Sequence, residues 1–295
     1  MRITLSVLLL LFFTAINAQR TDHRLQRQVE QLITGFQGTI GIYIKNLRTG
    51  KTVAIHADTL FPTASMVKVP ILVGVMDKIS NGSLSYHQKL LYKDSLLYAG
   101  EDILGSFKNN EPIEISKVVL LMLTTSDNTA SLWLQSLAGT GSRINELMDQ
   151  LGLQHTRINS RTPGREEQRR QYGWGQTTPR EMALLLEKIY RYEVINKKSS
   201  LHMQRLLGRN YWDEEGLEAI PPTIEVFSKN GAVNASRSEV MLVNAPRNPY
   251  VFCIITKNNK DQSWERSNEA WALTRSLSAL LWNYFNPRQP FRVSE

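Results

Sequence analysis

The sequence predicts an α/β fold: an antiparallel sheet built from both ends of the chain and flanked by helices, with an all-α domain inserted between its halves. Three observations carry this expectation. Two β-prone runs stand near the start, a stretch from Ser65 to about Tyr192 has mostly helical apolar spacing, and strand signals return only from Ile224, ahead of one last helical segment. This order places a discontinuous α/β part at 19–60 and 210–295 and a helical part at 61–209.

Taken in order, Arg24 to Ile33 sets Leu25, Val29, Leu32 and Ile33 close to helical spacing and predicts an amphipathic helix. Thr39 to Leu47 and Lys51 to Ile55 flank Arg48-Thr49-Gly50, the pattern of a hairpin. In the central block, Ile115 to Leu123, Ala130 to Leu137 and Ile144 to Leu151 are candidate helices. Thr178-Pro179-Arg180-Glu181 is a helix start, with threonine as cap, proline at the first helical position and glutamate closing a capping box; Met182 to Tyr192 forms the body. Gly208 ends a further helix from Leu201. Ile224 to Ser228, Glu239 to Val243 and Tyr250 to Thr256 read as strands, and Glu265 to Tyr284 as the closing helix.

At the amino terminus, Met1 and Arg2 precede an apolar run from Ile3 to Ile16 that ends at Asn17-Ala18-Gln19. This is the layout of a signal peptide over 1–18, cleaved after Ala18, and it predicts a periplasmic or secreted protein. The run is shorter than the roughly 20 residues of a membrane span, so no stable membrane insertion is expected; an uncleaved anchor is the alternative. Removing those 18 residues from 295 leaves 277, enough for a full hydrophobic core. Cys253, the only cysteine, sits in the apolar run Tyr250 to Ile255 and reads as a small buried hydrophobe, and no cysteine near Ala18 offers a site for lipid attachment.

The formal charge of +8 raises nucleic-acid binding, but the basic residues are dispersed and the one dense cluster, Arg165 to Arg170, is broken by Glu166 and Glu167. No nucleic-acid partner is expected. A basic surface favouring anionic cell-wall material explains the charge better, and a monomer is expected.

Other enzyme signatures are missing: no Gly-x-Ser-x-Gly elbow, no His-Glu-x-x-His, no Gly-rich phosphate loop, and five isolated histidines. No metal and no cofactor is therefore expected. What remains is Phe61-Pro62-Thr63-Ala64-Ser65-Met66-Val67-Lys68-Val69-Pro70. A Ser-x-x-Lys tetrad arises by chance about once in such a chain, so its context decides. A helix beginning at Ser65 would put Lys68 on the same face one turn later, where a lysine can take the proton that a weak hydroxyl nucleophile must lose. Its amino terminus would offer free N–H groups to a developing oxyanion. Pro70 removes one early helical bond, which a tightened first turn would absorb.

Ser126-Asp127-Asn128 follows the apolar helix at 115–123, either as a loop presenting side chains or as a cap for the next helix. Ser228-Lys229-Asn230-Gly231 ends a predicted strand, either as a third site element or as an Asn-Gly hairpin turn with a solvated lysine.

In this order the three elements resemble the Ser-x-x-Lys, Ser-Asp-Asn and Lys-Thr-Gly boxes of class A β-lactamases and related penicillin-binding proteins. Ser126 follows Ser65 by 61 residues, a separation similar to the family's, and the segments at 100–106 and 177–182 are also similar. The resemblance implies a β-lactamase/transpeptidase-like fold and an exported serine hydrolase that forms an acyl-enzyme. Its substrate would be a small-molecule β-lactam or a peptidoglycan-derived peptide or ester. By motif, Ser65 would be acylated, Lys68 would accept its proton, and Ser126 would pass a proton to the leaving nitrogen. Asn128 would bind the substrate amide, Lys229 would hold the site's electrostatics, and the N–H groups of Ser65 and of Ala232, which follows Gly231, would form the oxyanion hole. Asp127 would brace its loop.

Two departures stand out. Asn230 replaces the hydroxyl residue that binds the substrate carboxylate in the family; Arg237 offers a compensating guanidinium or is a surface arginine. Between Asn159 and Thr177 there is no Glu-x-x-Leu-Asn to activate a deacylating water; Glu166 and Glu167 read as part of a solvated loop. Slow β-lactam turnover is expected. A peptidoglycan acyltransferase or peptidase is the alternative activity, and a non-catalytic binding domain is the alternative of another class.

Overall fold

The computed structural model describes residues 20–100 and 102–292, so the leader and Glu101 lie outside the described residues. The chain opens with helix α1 (His23–Leu32) and strands β1 (Thr39–Asn46) and β2 (Thr52–Ile55), followed by the short strand β3 (Phe61–Pro62). A 3-10 turn (Ala64–Val67) runs into α2 (Lys68–Ser80). After β4 (Lys89–Leu91) and β5 (Pro112–Glu114) come α3 (Ile115–Thr124), α4 (Asn128–Leu137) and α5 (Thr140–Gln150). Then follow β6 (Arg157–Ile158), α6 (Glu166–Tyr172), β7 (Gly175–Thr177), α7 (Pro179–Tyr190) and α8 (Lys197–Leu207). A short 3-10 turn (Gly216–Ala219), strands β8 (Val226–Val233), β9 (Ser236–Val243) and β10 (Tyr250–Lys257), and α9 (Glu269–Phe285) complete it.

The main sheet has the order β2-β1-β10-β9-β8, with every neighbour antiparallel, so its first two strands and last three come from opposite ends of the chain. Strand alternation divides the core in two. Ile42, Ile44, Phe252, Ile254, Met241 and Val243 face α1 and α9, whereas Tyr43, Val251, Cys253, Ile255, Val240 and Leu242 face α7 and the helical layer. Burial pushes the Cys253 thiol well up, as suits a buried hydrophobe. Tyr284 donates to Asp22 Oδ1 at 2.9 Å, tying α9 to the cap of α1.

Helix α2 is buried on every side from Lys68 to Met76, which makes it the centre of the helical layer. Gly74 has no room for a side chain: a Cβ would sit 2.8 Å from Ile144 on α5. The helix start at Thr178 is capped as the sequence suggests, Thr178 accepting from the Glu181 N–H. The Glu181 carboxylate does not close the box. It accepts instead from the backbone N–H groups of His155 and Thr156, fastening β6 to α7.

Candidate active site

Ser65 lies on the 3-10 turn that leads into α2, reached through Ala64 in the left-handed region at φ +44°. This turn is the tightened start that Pro70 requires, and the α-helix proper begins only at Lys68. Side chains at i and i+3 eclipse in a 3-10 turn, which brings the two functional groups together. Lys68 Nζ donates to Ser65 Oγ at 2.9 Å.

The same nitrogen lies within hydrogen-bond distance of three further oxygens, the Ser126 carbonyl at 2.6 Å, Ser126 Oγ at 3.0 Å and Asn128 Oδ1 at 2.9 Å. Ser126 has φ +63°, a conformation unfavourable for a residue with a Cβ and held here by its neighbour. Asp127 caps α4 by accepting from Ala130 N at 2.7 Å, and its second oxygen accepts from Ile103 N and Leu104 N at 2.7 and 2.8 Å. The cap and the loop presenting side chains are thus one structure: the aspartate caps while the residues either side of it reach Lys68.

The third element differs from its predicted setting. The strand does not stop at Ser228, and Asn230-Gly231 is not a hairpin turn: β8 continues to Val233, with Asn230 opposite Glu239 and Gly231 opposite Ser238. Lys229 is fully buried, donating to the Asn230 carbonyl at 2.9 Å and to Asn230 Oδ1 at 3.0 Å. A Cβ on Gly231 would lie 2.6 Å from Ser65 N, so glycine is what allows β8 to close on the turn carrying Ser65.

Arg237 is not a surface arginine, being 1% exposed. Its guanidinium lies 4.6 and 4.5 Å from the ring centroids of Trp264 and Trp271 and donates to the carbonyls of Val233 (2.5 Å), Ser236 (3.0 Å) and Ser263 (2.7 Å). Buttressing the β8–β9 turn occupies these donors, because a buried guanidinium must find acceptors for its N–H groups. Trp264 and Trp271, not Arg237, line the cleft.

That cleft, of about 850 Å³, runs from Ser65, Ser126 and Asn128 past Asn230 to Tyr211 and Trp264. A second of about 630 Å³ extends the other way, past Tyr172, Trp174 and Val233. Ser65, Asn128 and Ala232 line both, which places the serine where the two meet.

After a turn over residues 160–165, Glu166 and Glu167 open helix α6 rather than lying in a loop, and both are solvated as expected. Glu166 accepts from Gly164 N and Glu167 pairs with Arg170 on the surface. The residue that turns inward is Arg165, which donates to Asn159 Oδ1 at 2.9 Å and Gln176 Oε1 at 2.7 Å.

Residues 24–285 match the model of the beta-lactamase enzyme family. The chain belongs to that family. Among its relatives, the β-lactamase VEB-1 of Pseudomonas aeruginosa is 23% identical over 294 residues, covering 95% of this chain and 97% of the relative. Among solved structures, that of PBP-A superposes with a TM-score of 0.80 at 25% identity, covering 91% of this chain and 98% of that one. The class A β-lactamase from Mycobacterium abscessus gives 0.78 at 20% identity, covering 88% and 99%.

In this beta-lactamase-family chain two carboxyl groups that the motifs did not mark lie beside Asn230, one lining the cleft and one buried behind it. Glu215 lines the cleft, with Oε1 3.4 Å from Asn230 Nδ2, and burial pushes its carboxyl up to about 7. Glu239, fully buried on β9, accepts from Gly216 N at 2.9 Å through Oε2, while Oε1 has no partner; burial and the neighbouring Glu215 raise it well above the usual carboxylate range. The only sequence signal for them was an acid opening an otherwise apolar strand run and an acidic stretch, Asp213 to Glu215, before a glycine.

Proposed function

We propose that this family member is a serine acyl-enzyme-forming hydrolase that is acylated by β-lactams on Ser65 and releases the acyl group slowly. The observation that carries the reading is the position of Lys68 Nζ, in hydrogen-bond contact with both Ser65 Oγ and Ser126 Oγ. Ser65 Oγ attacks the ring carbonyl and its proton passes to Lys68. Ser126 Oγ then delivers a proton to the leaving nitrogen as the C–N bond breaks, and Lys68 returns one to Ser126. The backbone N–H groups of Ser65 and Ala232 receive the oxyanion, Asn128 the substrate amide, and Lys229 supports the charge on the tetrahedral intermediate.

Slow release is supported by the second cleft at Ser65, where no carboxylate is among the described lining residues. The carboxylates that do line a cleft, Asp213, Glu214 and Glu215, belong to the one that leads past Asn230. A mutant of the similar protein PBP-A has been described as an acyl-enzyme complex with penicillin G. An acyl-enzyme that water attacks slowly also favours transfer to an amine acceptor, so a peptidoglycan-directed acyltransferase is the second reading. We further propose export, on the strength of the leader-like residues 1–18. Labelling with a fluorescent penicillin, followed by peptide mapping, tests the assignment. The label is expected on Ser65 and absent from Ser65→Ala; an adduct on another residue would refute it.

A further inference from the structure

The cleft beyond Asn230 has an acidic wall. Lys229 Nζ holds Asn230 Oδ1, which turns the amide Nδ2 toward Glu215 Oε1 at 3.4 Å. The N–H group that would otherwise receive an anion at this end of the cleft therefore already points to a carboxyl. Five groups face Glu215 from the packed elements: Lys229 and Asn230 on β8, Glu239 and Arg237 on β9, and Arg275 on α9. Asp213 and Glu214 precede it on its own segment and line the same cleft.

Three guanidinium groups near this wall make their hydrogen bonds or ion pairs elsewhere. Arg237 donates to backbone carbonyls of the β8–β9 turn and of Ser263, Arg275 to the carbonyls of Glu214 and Arg266, and Arg266 pairs with Glu218. Glu239 supplies an independent observation, because it is fully buried, stands opposite Asn230 in the strand register, and leaves Oε1 without a partner. A fully buried carboxyl beside a half-buried one makes ionisation of both costly, so at least one holds a proton.

We propose that Glu215 sets the substrate class of the site: the end of the acyl donor that lies over Asn230 is neutral or cationic, and an anionic group there is accepted only when Glu215 carries a proton. This rests on acylation of Ser65 as proposed above. A neutral Glu215 can donate to an incoming carboxylate, whereas an ionised Glu215 repels it and accepts from an amine or amide instead. With its carboxyl pushed up to about 7, its neutral fraction falls about tenfold between pH 6 and pH 8.

The test compares benzylpenicillin with its methyl ester, two donors that share a reactive ring and differ in charge at one end. Second-order rate constants for acylation of Ser65 are measured on the full chain across this pH range, and their ratio cancels the titration of Lys68. The ratio of acid to ester is expected to fall about tenfold from pH 6 to pH 8 in the native protein and to flatten in Glu215→Gln. A ratio constant within about twofold in the native protein, or an identical slope in a folded Glu215→Gln, overturns the inference while leaving the acyl-enzyme reading intact. If neither compound labels Ser65, that reading fails and this one with it. The native ratio alone decides should the variant not fold.

Discussion

The Nζ of Lys68 lies 2.9 Å from the Oγ of Ser65, one turn earlier on the same segment, and the 3-10 geometry there is what aligns the two. A positioned proton acceptor of this kind contributes on the order of a hundredfold or more to rate. Lys68→Ala and Ser126→Ala are each expected to slow acylation by at least about a hundredfold while keeping a cooperative thermal transition. Stopped-flow acylation beside calorimetry checks this. Unchanged kinetics in a folded Lys68→Ala protein would reduce the Ser-x-x-Lys tetrad to a chance match.

Gly231 tests the oxyanion side of the site. Its missing Cβ leaves β8 free to close on Ser65 N, which an alanine methyl would meet at 2.6 Å. Moving one oxyanion donor out of place typically lowers the rate by about a hundredfold or more. Gly231→Ala is thus expected to reduce the acylation rate at least tenfold, with a smaller change in initial binding. An equal loss in binding and rate would show that the methyl group merely blocks the cleft.

Much of this was legible in the sequence, and the exceptions have physical causes. The strands and long helices followed from periodicity, because their apolar faces are continuous; α2, buried all round, and the two-residue strands β3 and β6 offer no period to read. The Asn-Gly pair at 230–231 suggests a turn locally, yet pairing with β9 along its whole length keeps it extended. Arg237 was misplaced for a related reason: alternation in a strand shows which residues share a face, but not that two tryptophans from the segment before and the start of α9 cover it. Glu215 and Glu239 meet only through tertiary packing, so no spacing announces them.

Arg237 is consequently a stability determinant. Its planar fork reaches four backbone carbonyls while lying against two indole rings, a combination that an ammonium cannot reproduce. Arg237→Lys is expected to destabilise by about 2–4 kcal/mol, and differential scanning calorimetry reads this as a fall of several degrees in Tm. A Tm within a degree of the native value would show that the guanidinium is dispensable.

Glu239 gives stability a pH dependence. Its folded value is raised by burial, so between the ordinary glutamate range and that raised value the folded protein holds a proton that the unfolded chain has lost. Its contribution is therefore most favourable in acid and declines as pH rises. Glu239→Gln, which is always neutral, should raise Tm by at least about 2 °C at pH 8.5 and by less at pH 5. A larger gain at pH 5 would reverse the sign and show that the native carboxyl is ionised.

Release of the acyl group is the step that the proposed function expects to be slow. A well-placed carboxylate base contributes on the order of a hundredfold to ten-thousandfold to such a hydrolysis, and Glu166 and Glu167 both point to solvent on α6. Single Glu166→Gln and Glu167→Gln changes are expected to alter the turnover rate of a penicillin less than about tenfold. A collapse of turnover in one variant alone would identify it as the deacylating base.

The most direct measurement is time-resolved mass spectrometry of the intact protein after mixing with benzylpenicillin. Acylation by the Ser65–Lys68–Ser126 arrangement, with no carboxylate among the described residues lining the second cleft at Ser65, predicts a rapid rise to one adduct per chain, carried by Ser65, that outlasts the supply of free drug. Fast steady-state hydrolysis with no accumulated adduct would contradict it.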